Sequence, residues 1–320
     1  MSNQPVLSIC IPAYNYGNYL PEAIESCLKC DFHFELIVLD NHSSDNTPSL
    51  KNKYSLDKRV KWFRNEKLLP VQENWNKCVS LTNGKYVKLL QADDALLPEF
   101  FDFFMDAIKK FPEKGIYGHL SYIIDENSQI KRKQKPFSLS DDCTLIEGND
   151  AIKLKLRNIA RFKEPSCNFF LRSAFDAVNG FDINFRYTFD INFNTMTAFH
   201  HGGVLINKYG SSVRRHSKSD GATLPMDLGL SELQKRNIYF LGLIKPKASF
   251  LDRSHANSLV QYRIIEFFMQ RYKSNIKTAL FFLLKNLKCF TDIFALYITA
   301  STIARRIKTG DVQLTKIKIY

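Results

Sequence analysis

Two adjacent carboxylates, Asp93 and Asp94, end a hydrophobic run that begins at Tyr86, and Pro98 starts a helical pattern just beyond them. Paired oxygen ligands in that position suit a hard divalent cation, Mg²⁺ or Mn²⁺, which can in turn hold a diphosphate. The same acids also favour the positive end of the following helix, so the pair alone leaves capping open. Asp40 closes a second apolar run, Phe34 to Leu39, and Asp190 stands where a helical pattern over 190–199 begins. Acids leaving the carboxyl ends of strands in an α/β sheet lie at the crevice where such sheets bind ligands. A carboxylate at such a strand end, as Asp40 is, can accept an N–H from a pyrimidine ring. Cys27 and Cys30 have no second Cys/His pair at zinc spacing and read as helix-end packing. His200 and His201 likewise lack the spacing of a metal site.

The elements that must position these groups alternate over the first 110 residues. Strand patterns cover Val6 to Ile11, where Pro12 ends the run, Phe34 to Leu39, Val60 to Phe63 and Tyr86 to Leu90. Helical patterns cover 20–28, 74–81 and 100–111, the last with Phe100, Phe103, Phe104, Ala107, Ile108 and Phe111 on a core face. Such alternation predicts right-handed crossovers and a mostly parallel sheet. Further strands are expected at 115–124, 167–171 and 203–206, a loop or hairpin at 125–145, and a short capped helix ending at Gly180. From about Pro225 strand signals vanish and long helical patterns take over, so the expected division is 1–222 and 223–320.

The 320 residues carry a net charge of +13, and its distribution is uneven: residues 221–320 hold 16 Lys/Arg against 6 Asp/Glu. Seven scattered cysteines suggest no disulfide framework and a reducing compartment. The first residues lack a basic segment followed by an apolar one, so no signal peptide is expected. No charge-free apolar run reaches membrane-spanning length.

Four segments in order, Ser8 to Asn15 (SICIPAYN), Leu36 to Asp45 (LIVLDNHSSD), Gly84 to Asp94 (GKYVKLLQADD) and Asn179 to Asp190 (NGFDINFRYTFD), resemble family 2 glycosyltransferases of the GT-A fold. The resemblance covers about residues 5–220. It implies an α/β, Rossmann-like, mostly parallel sheet with a helical extension, and an inverting enzyme that uses a nucleotide-sugar. It places Pro12, Ala13, Tyr14, Asn15 and Asp40 at the nucleotide, Tyr14 against the base. Gln91, Ala92 and Asp93 join them, with Asn74 and Asn76 as further base or ribose contacts. Asp93 and Asp94 match the metal-binding acids, with Mn²⁺ or Mg²⁺ as cofactor. Gln91 replaces the usual first acid of that region, which bears on the ribose contact. Asp190 matches the family's catalytic base, and Phe189 replaces the Glu that usually precedes it. Asp182 is placed to hold the acceptor or order its loop. In the basic run after the last strand, the resemblance points to His216 for the metal or a phosphate and Arg215 for diphosphate oxygens.

The basic tail leaves two readings open. Ile293, Tyr297, Ala300, Ala304 and Ile307 share one helical face, and Leu280, Phe281, Leu283, Leu284 and Leu287 form an earlier apolar cluster among lysines. Apolar faces with basic flanks suit an anionic membrane surface, and they equally suit a packed subdomain or a homodimer interface. Expected partners are a nucleotide-sugar donor, probed first as a UDP-sugar, and a saccharide or lipid-linked saccharide acceptor. The expected location is the cytoplasm, with peripheral contact to the inner face of the cell membrane as one of the two tail readings. Bacterial surface polysaccharide or lipopolysaccharide assembly is the family-level setting. No nucleic-acid module is recognisable. The rival reading is a nucleotide-sugar-binding protein of the same fold with reduced catalysis, kept in play by Gln91 and Phe189. A sugar-nucleotide pyrophosphorylase would need a Gly-rich phosphate loop after the first strand, and Ala13 to Gly17 is not one.

Overall fold

The computed structural model describes residues 5–137, 141–157, 162, 164–216, 226–272 and 286–308. The chain divides into two compact units, Met1–Ala151 with Arg161–Thr223 and Ile152–Ala160 with Leu224–Tyr320. In chain order the strands are β1 (Leu7–Ala13), β2 (Phe34–Asp40), β3 (Val60–Arg64), β4 (Tyr86–Leu89), β5 (Ala95–Leu96), β6 (Ile116–Ile124), β7 (Ile130–Lys133), β8 (Cys143–Ile146), β9 (Asn168–Leu171) and β10 (Gly203–Arg214). The helices up to β10 are α1 (Leu20–Leu28), α2 (Lys51–Tyr54), α3 (Val71–Ser80), α4 (Glu99–Lys110), α5 (Asn149–Leu156), α6 (Arg172–Ala177) and α7 (Phe189–His201).

One mixed sheet runs β3-β2-β1-β4-β9-β6-β10-β5, with β7 on β6 and β8 on β10. β3, β2, β1 and β4 are parallel, as the βα alternation requires. β9 inserts antiparallel between β4 and β6, and β6 then pairs parallel with β10. Every residue of β1 and β2 is buried, as expected of strands covered on both faces. The core on one side is aromatic: Phe100, Phe103 and Phe104 of α4 pack against Tyr86, Tyr117 and Phe169.

Two strands outrun their sequence patterns. Pro12 does not end β1, which continues to Ala13 beside β2. Leu90 donates to the Cys10 carbonyl, so Cys10 and Pro12 face β4, and pairing with β4 stops at Cys10. The donor that proline lacks therefore has no strand to serve. β10 continues past Ile206 to Arg214 through register shifts around Tyr209, which hide its apolar alternation behind Asn207, Lys208 and Ser211. A side chain at Gly210 would press within 2.6 Å of the Phe103 ring, so α4 crosses β10 closely there. Arg214 thus closes a strand and does not stand on a loop beyond it. Cys27 and Cys30 donate their thiols to Ala23 and Cys27 carbonyls at the end of α1, as helix-end packing predicts.

In the second unit, helices Met226–Leu243 and Phe250–Tyr272 pack through Leu230, Leu233, Val260 and Ile264. Asp252 is buried at the start of the second helix, accepting from Ser249 and from the Arg157 guanidinium. Helix Ile293–Lys308 buries Ala295 and Thr299, while Tyr297 is 68% exposed, so the tail face expected through Tyr297 and Ala300 is not the packed one. The cluster Leu280, Phe281, Leu283 and Leu284 lies outside the described residues. Among those described, no helix is long and apolar enough to cross a membrane.

Candidate active site

The loops leaving β1 and β2 are stitched together. Asn15, in the left-handed region at φ 56°, donates its amide to Ser43 Oγ at 2.9 Å and accepts from the Ser44 amide. Gly17 donates to Asp45 Oδ2, whose other oxygen caps the short helical turn at Thr47. Pro12 and Ala13 are buried beneath this loop, and Tyr14 is exposed, free to offer its ring to a planar ligand. Asp40 is fully buried, accepting from the Ser43 amide at 2.8 Å and paired with Arg64 at 2.5 Å. Arg64 sits opposite Asp40 in the β2–β3 register, a signal readable only once that register is known.

Two asparagines expected at the base or ribose act as braces. Asn74 is buried and accepts from Asn65, which also donates to Asn41. Asn76 uses both ends of its amide on the backbone of Phe181, at 2.8 Å each. That pairing docks the stretch after Gly180 on α3. Gln72 adds a bond to the Phe185 carbonyl, and Trp75 packs edge-on against Phe181 and Phe189. Asp182 accepts from the backbone and side chain of Asn184, so of its two expected roles the structure displays loop ordering. Asp190 lies half-buried in the first turn of α7, accepting from the Ile191 amide.

The acid turn is built from beneath. Gln91 donates its amide to Ser166 Oγ, Ala92 is buried, and the Asp94 amide closes onto the Gln91 carbonyl. Asp93 Oδ2 lies 3.0 Å from His216 Nε2, and the His216 ring stacks on Tyr19 at 5.3 Å with Tyr16 at its edge. Arg214, only 1% exposed, holds the turn in place. Its amide donates to Asp94 Oδ1 and its Nε to the Asp93 carbonyl, both at 2.7 Å. Its remaining nitrogens bind the Asp125 carbonyl, Ser128 Oγ and Glu22, and its plane lies 4.7 Å from the Tyr19 ring. Arg215, expected at diphosphate oxygens, is exposed and forms an ion pair with Glu164 at 2.5 Å. Arg214 is the basic residue that reaches the acids.

Burial, and then the charge of Asp93, push the Asp94 carboxyl up to about 8, and its Oδ2 is buried without a hydrogen-bond partner. A divalent cation beside these acids would reverse that penalty. The carboxylate–imidazole pair of Asp93 and His216 is a donor set that Mn²⁺ accepts, and Mg²⁺ commonly takes only one or two protein ligands beside phosphate oxygens. Among the described residues no group of three or more His, Cys, Asp or Glu side chains converges to hold a metal ion.

The sequence profile of glycosyl transferase family 2 matches residues 8–178, more than half of the chain and inclusive of the Asp40 and Asp93–Asp94 strand ends. The chain belongs to this family. An uncharacterized glycosyltransferase of Methanocaldococcus jannaschii is 32% identical over 139 residues, 42% of this chain and 48% of that protein. The chain therefore spans about half the length of that relative. Among solved structures, S. aureus TarS 1–349 in complex with UDP-GlcNAc superposes with a TM-score of 0.65 at 15% identity, over 98% of this chain and 94% of that one. The mannosyltransferase PcManGT from Pyrobaculum calidifontis, in complex with GDP-Man and Mn²⁺, gives 0.56 at 12% identity, over 98% and 89%. These likenesses establish the GT-A fold of this family 2 chain.

Proposed function

We propose that this family 2 chain transfers a sugar, with inversion, from a UDP-linked donor to a saccharide or lipid-linked saccharide acceptor. The setting is the building of bacterial surface polysaccharide or lipopolysaccharide at the cytoplasmic face of the membrane. The observation that carries the reading is the Asp93–His216 pair at the acid turn, which leaves the carboxyl end of β4 as the stitched loops leave those of the parallel β1 and β2. The donors named for the two similar structures, UDP-GlcNAc and GDP-Man, support a nucleotide-sugar ligand.

Tyr14 packs on the base, and the pair of the buried Asp40 with the exposed Arg64 presents a fixed charge pattern to its edge. Asp93 and His216 would hold Mn²⁺ or Mg²⁺, with Asp94 as the buried charge behind them. When bound, the ion supplies Lewis-acid neutralisation of the diphosphate. Asp190 takes the proton from the acceptor hydroxyl as that oxygen bonds to the anomeric carbon. The bond from that carbon to the diphosphate breaks, and its electron pair leaves with the nucleotide. Gln91 and Phe189, in place of two usual acids, favour a second reading in which the chain binds the donor with little turnover.

A panel of UDP- and GDP-sugars with Mn²⁺, read by thermal shift and by nucleotide release, separates the two. A stabilising donor raises apparent stability by mass action. Expected is a clear shift with one UDP-sugar, accompanied by UDP release. Binding without release supports the second reading, and no shift with any donor overturns both.

For the helical unit we propose contact with an anionic bilayer at the corner after Leu243. Lys245, Lys247 and Arg253 are exposed there beside Phe250 (61% exposed) and Leu251 (44%), while the nearby acid Asp252 is buried under Arg157. Each lysine near such a surface contributes about 1 kcal/mol. Lys245→Gln with Lys247→Gln should weaken co-sedimentation with phosphatidylglycerol vesicles by at least tenfold. Equal binding of both proteins, or a stable dimer that ignores vesicles, would decide for the packing alternative.

A further inference from the structure

Lys88 is a charged residue in the middle of an apolar strand. It is fully buried in β4 between Tyr86 and Leu90, and its Nζ lies 5.0 Å over the Phe100 ring. No carboxylate pairs with it among the described residues. Its Nζ donates instead to the Ser166 carbonyl at 2.5 Å and meets His119 Nε2 at 2.9 Å. His119 Nδ1 faces the Leu120 carbonyl, so the ring carries its proton there and offers a lone pair to Lys88. Burial, and then the Lys88 charge, hold His119 well below its usual range, which keeps it neutral. Burial brings Lys88 itself down to about 7. A strand this apolar would be more stable with Met or Leu in that place, because the nearby Asp94 charge favours the ammonium but is outweighed by the cost of desolvating it.

The direction in which Lys88 reaches supplies the reason for it. Ser166 is buried, and its carbonyl also accepts from Ser211 Oγ of β10. Its hydroxyl accepts from the Gln91 amide, and the Gln91 carbonyl accepts from the Asp94 amide. A continuous path of hydrogen bonds thus runs from Lys88 through Ser166 to the two ends of the acid turn. We propose that Lys88 is a positioning residue that fixes the Gln91–Asp94 turn through Ser166, retained against its cost in stability. The proposal deepens the transferase reading and rests on it.

The test is a double-mutant cycle in the full chain, Lys88→Met, Ser166→Ala and both together, with UDP-GlcNAc and Mn²⁺ as the probe. Small misplacement of a reacting group can cost up to about a hundredfold. Expected for Lys88→Met is a melting temperature equal to or above wild type, with kcat for UDP release lowered about tenfold. Ser166→Ala should show a similar loss in kcat, and the double variant no further loss, because both break one path. Wild-type kcat in folded Lys88→Met, or losses that multiply in the double variant, would overturn the proposal. If Lys88→Met does not fold, Ser166→Ala alone decides, since wild-type kcat there means the path does not act. If the wild type turns over no donor, the transferase reading fails, and the same cycle is read as Mn²⁺-dependent UDP affinity by calorimetry, with the same two patterns supporting or overturning it.

Discussion

Asp190→Asn is expected to give a folded protein that still binds donor nucleotide but transfers sugar 10²–10⁴-fold more slowly, the usual loss when a general base is removed. The amide keeps an oxygen for the Ile191 N–H, so the first turn of α7 retains that bond. The substitution removes one negative charge at a helix N-terminus, where such a charge contributes about 0.3–1 kcal/mol. A small change in melting temperature with a large change in kcat is therefore the signature. A transfer rate within threefold of wild type would remove Asp190 from the chemistry. Its half-buried side chain beside the Phe181–Phe189 stretch would then be structural.

The second large effect belongs to Asp93→Asn. The carboxylate that faces His216 becomes a weaker metal donor, while the Arg214 bonds to the Asp93 carbonyl and to Asp94 remain. Affinity for UDP in the presence of Mn²⁺ should fall at least tenfold, by analogy with the 10–100-fold cost of losing even an outer-shell metal partner. UDP affinity in the presence of a chelator should stay near the wild-type value, because the base contacts proposed for Tyr14 and Asp40 are untouched. Calorimetric titrations with and without Mn²⁺ measure both. An equal loss under both conditions would show that Asp93 supports the loop and not a metal.

The cost assigned to Lys88 has its own pH signature. Its folded pKa of about 7 lies below the ordinary 10.5, so the unfolded chain binds more protons between those values. Stability from this group rises with pH across that window, and the full penalty applies below pH 7. The stability gained in Lys88→Met should accordingly be greatest below pH 7 and shrink towards pH 10.

Asp40 and the Asp93–Asp94 pair were legible because each ends an apolar run, Asp190 only through the family resemblance, and the parallel half of the sheet follows from βα alternation. The residues that hold those acids were not legible. Arg64 meets Asp40 only through strand register, and Ser166 lies in a short 3₁₀ turn whose sequence gives no pattern. Arg214 and Arg215 are neighbours in a basic run, and nothing in the sequence separates the buried one from the exposed one. The separation comes from two register shifts in β10, which set the side on which Arg214 emerges. The resemblance offered Asn76 to the base or ribose, and nothing in the sequence pairs it with the backbone of Phe181, just after Gly180 at φ +66°.

Arg214 also has a bearing on how the family can diversify. Its side chain knots three stretches far apart in the chain: α1 through Glu22, the turn at 125–128, and the acids. A drift in any one of them is checked by the other two, so this corner should change slowly among descendants. Change should come more readily where side chains are under no such mutual restraint, as at the outward-facing Ile183 beside Asn184.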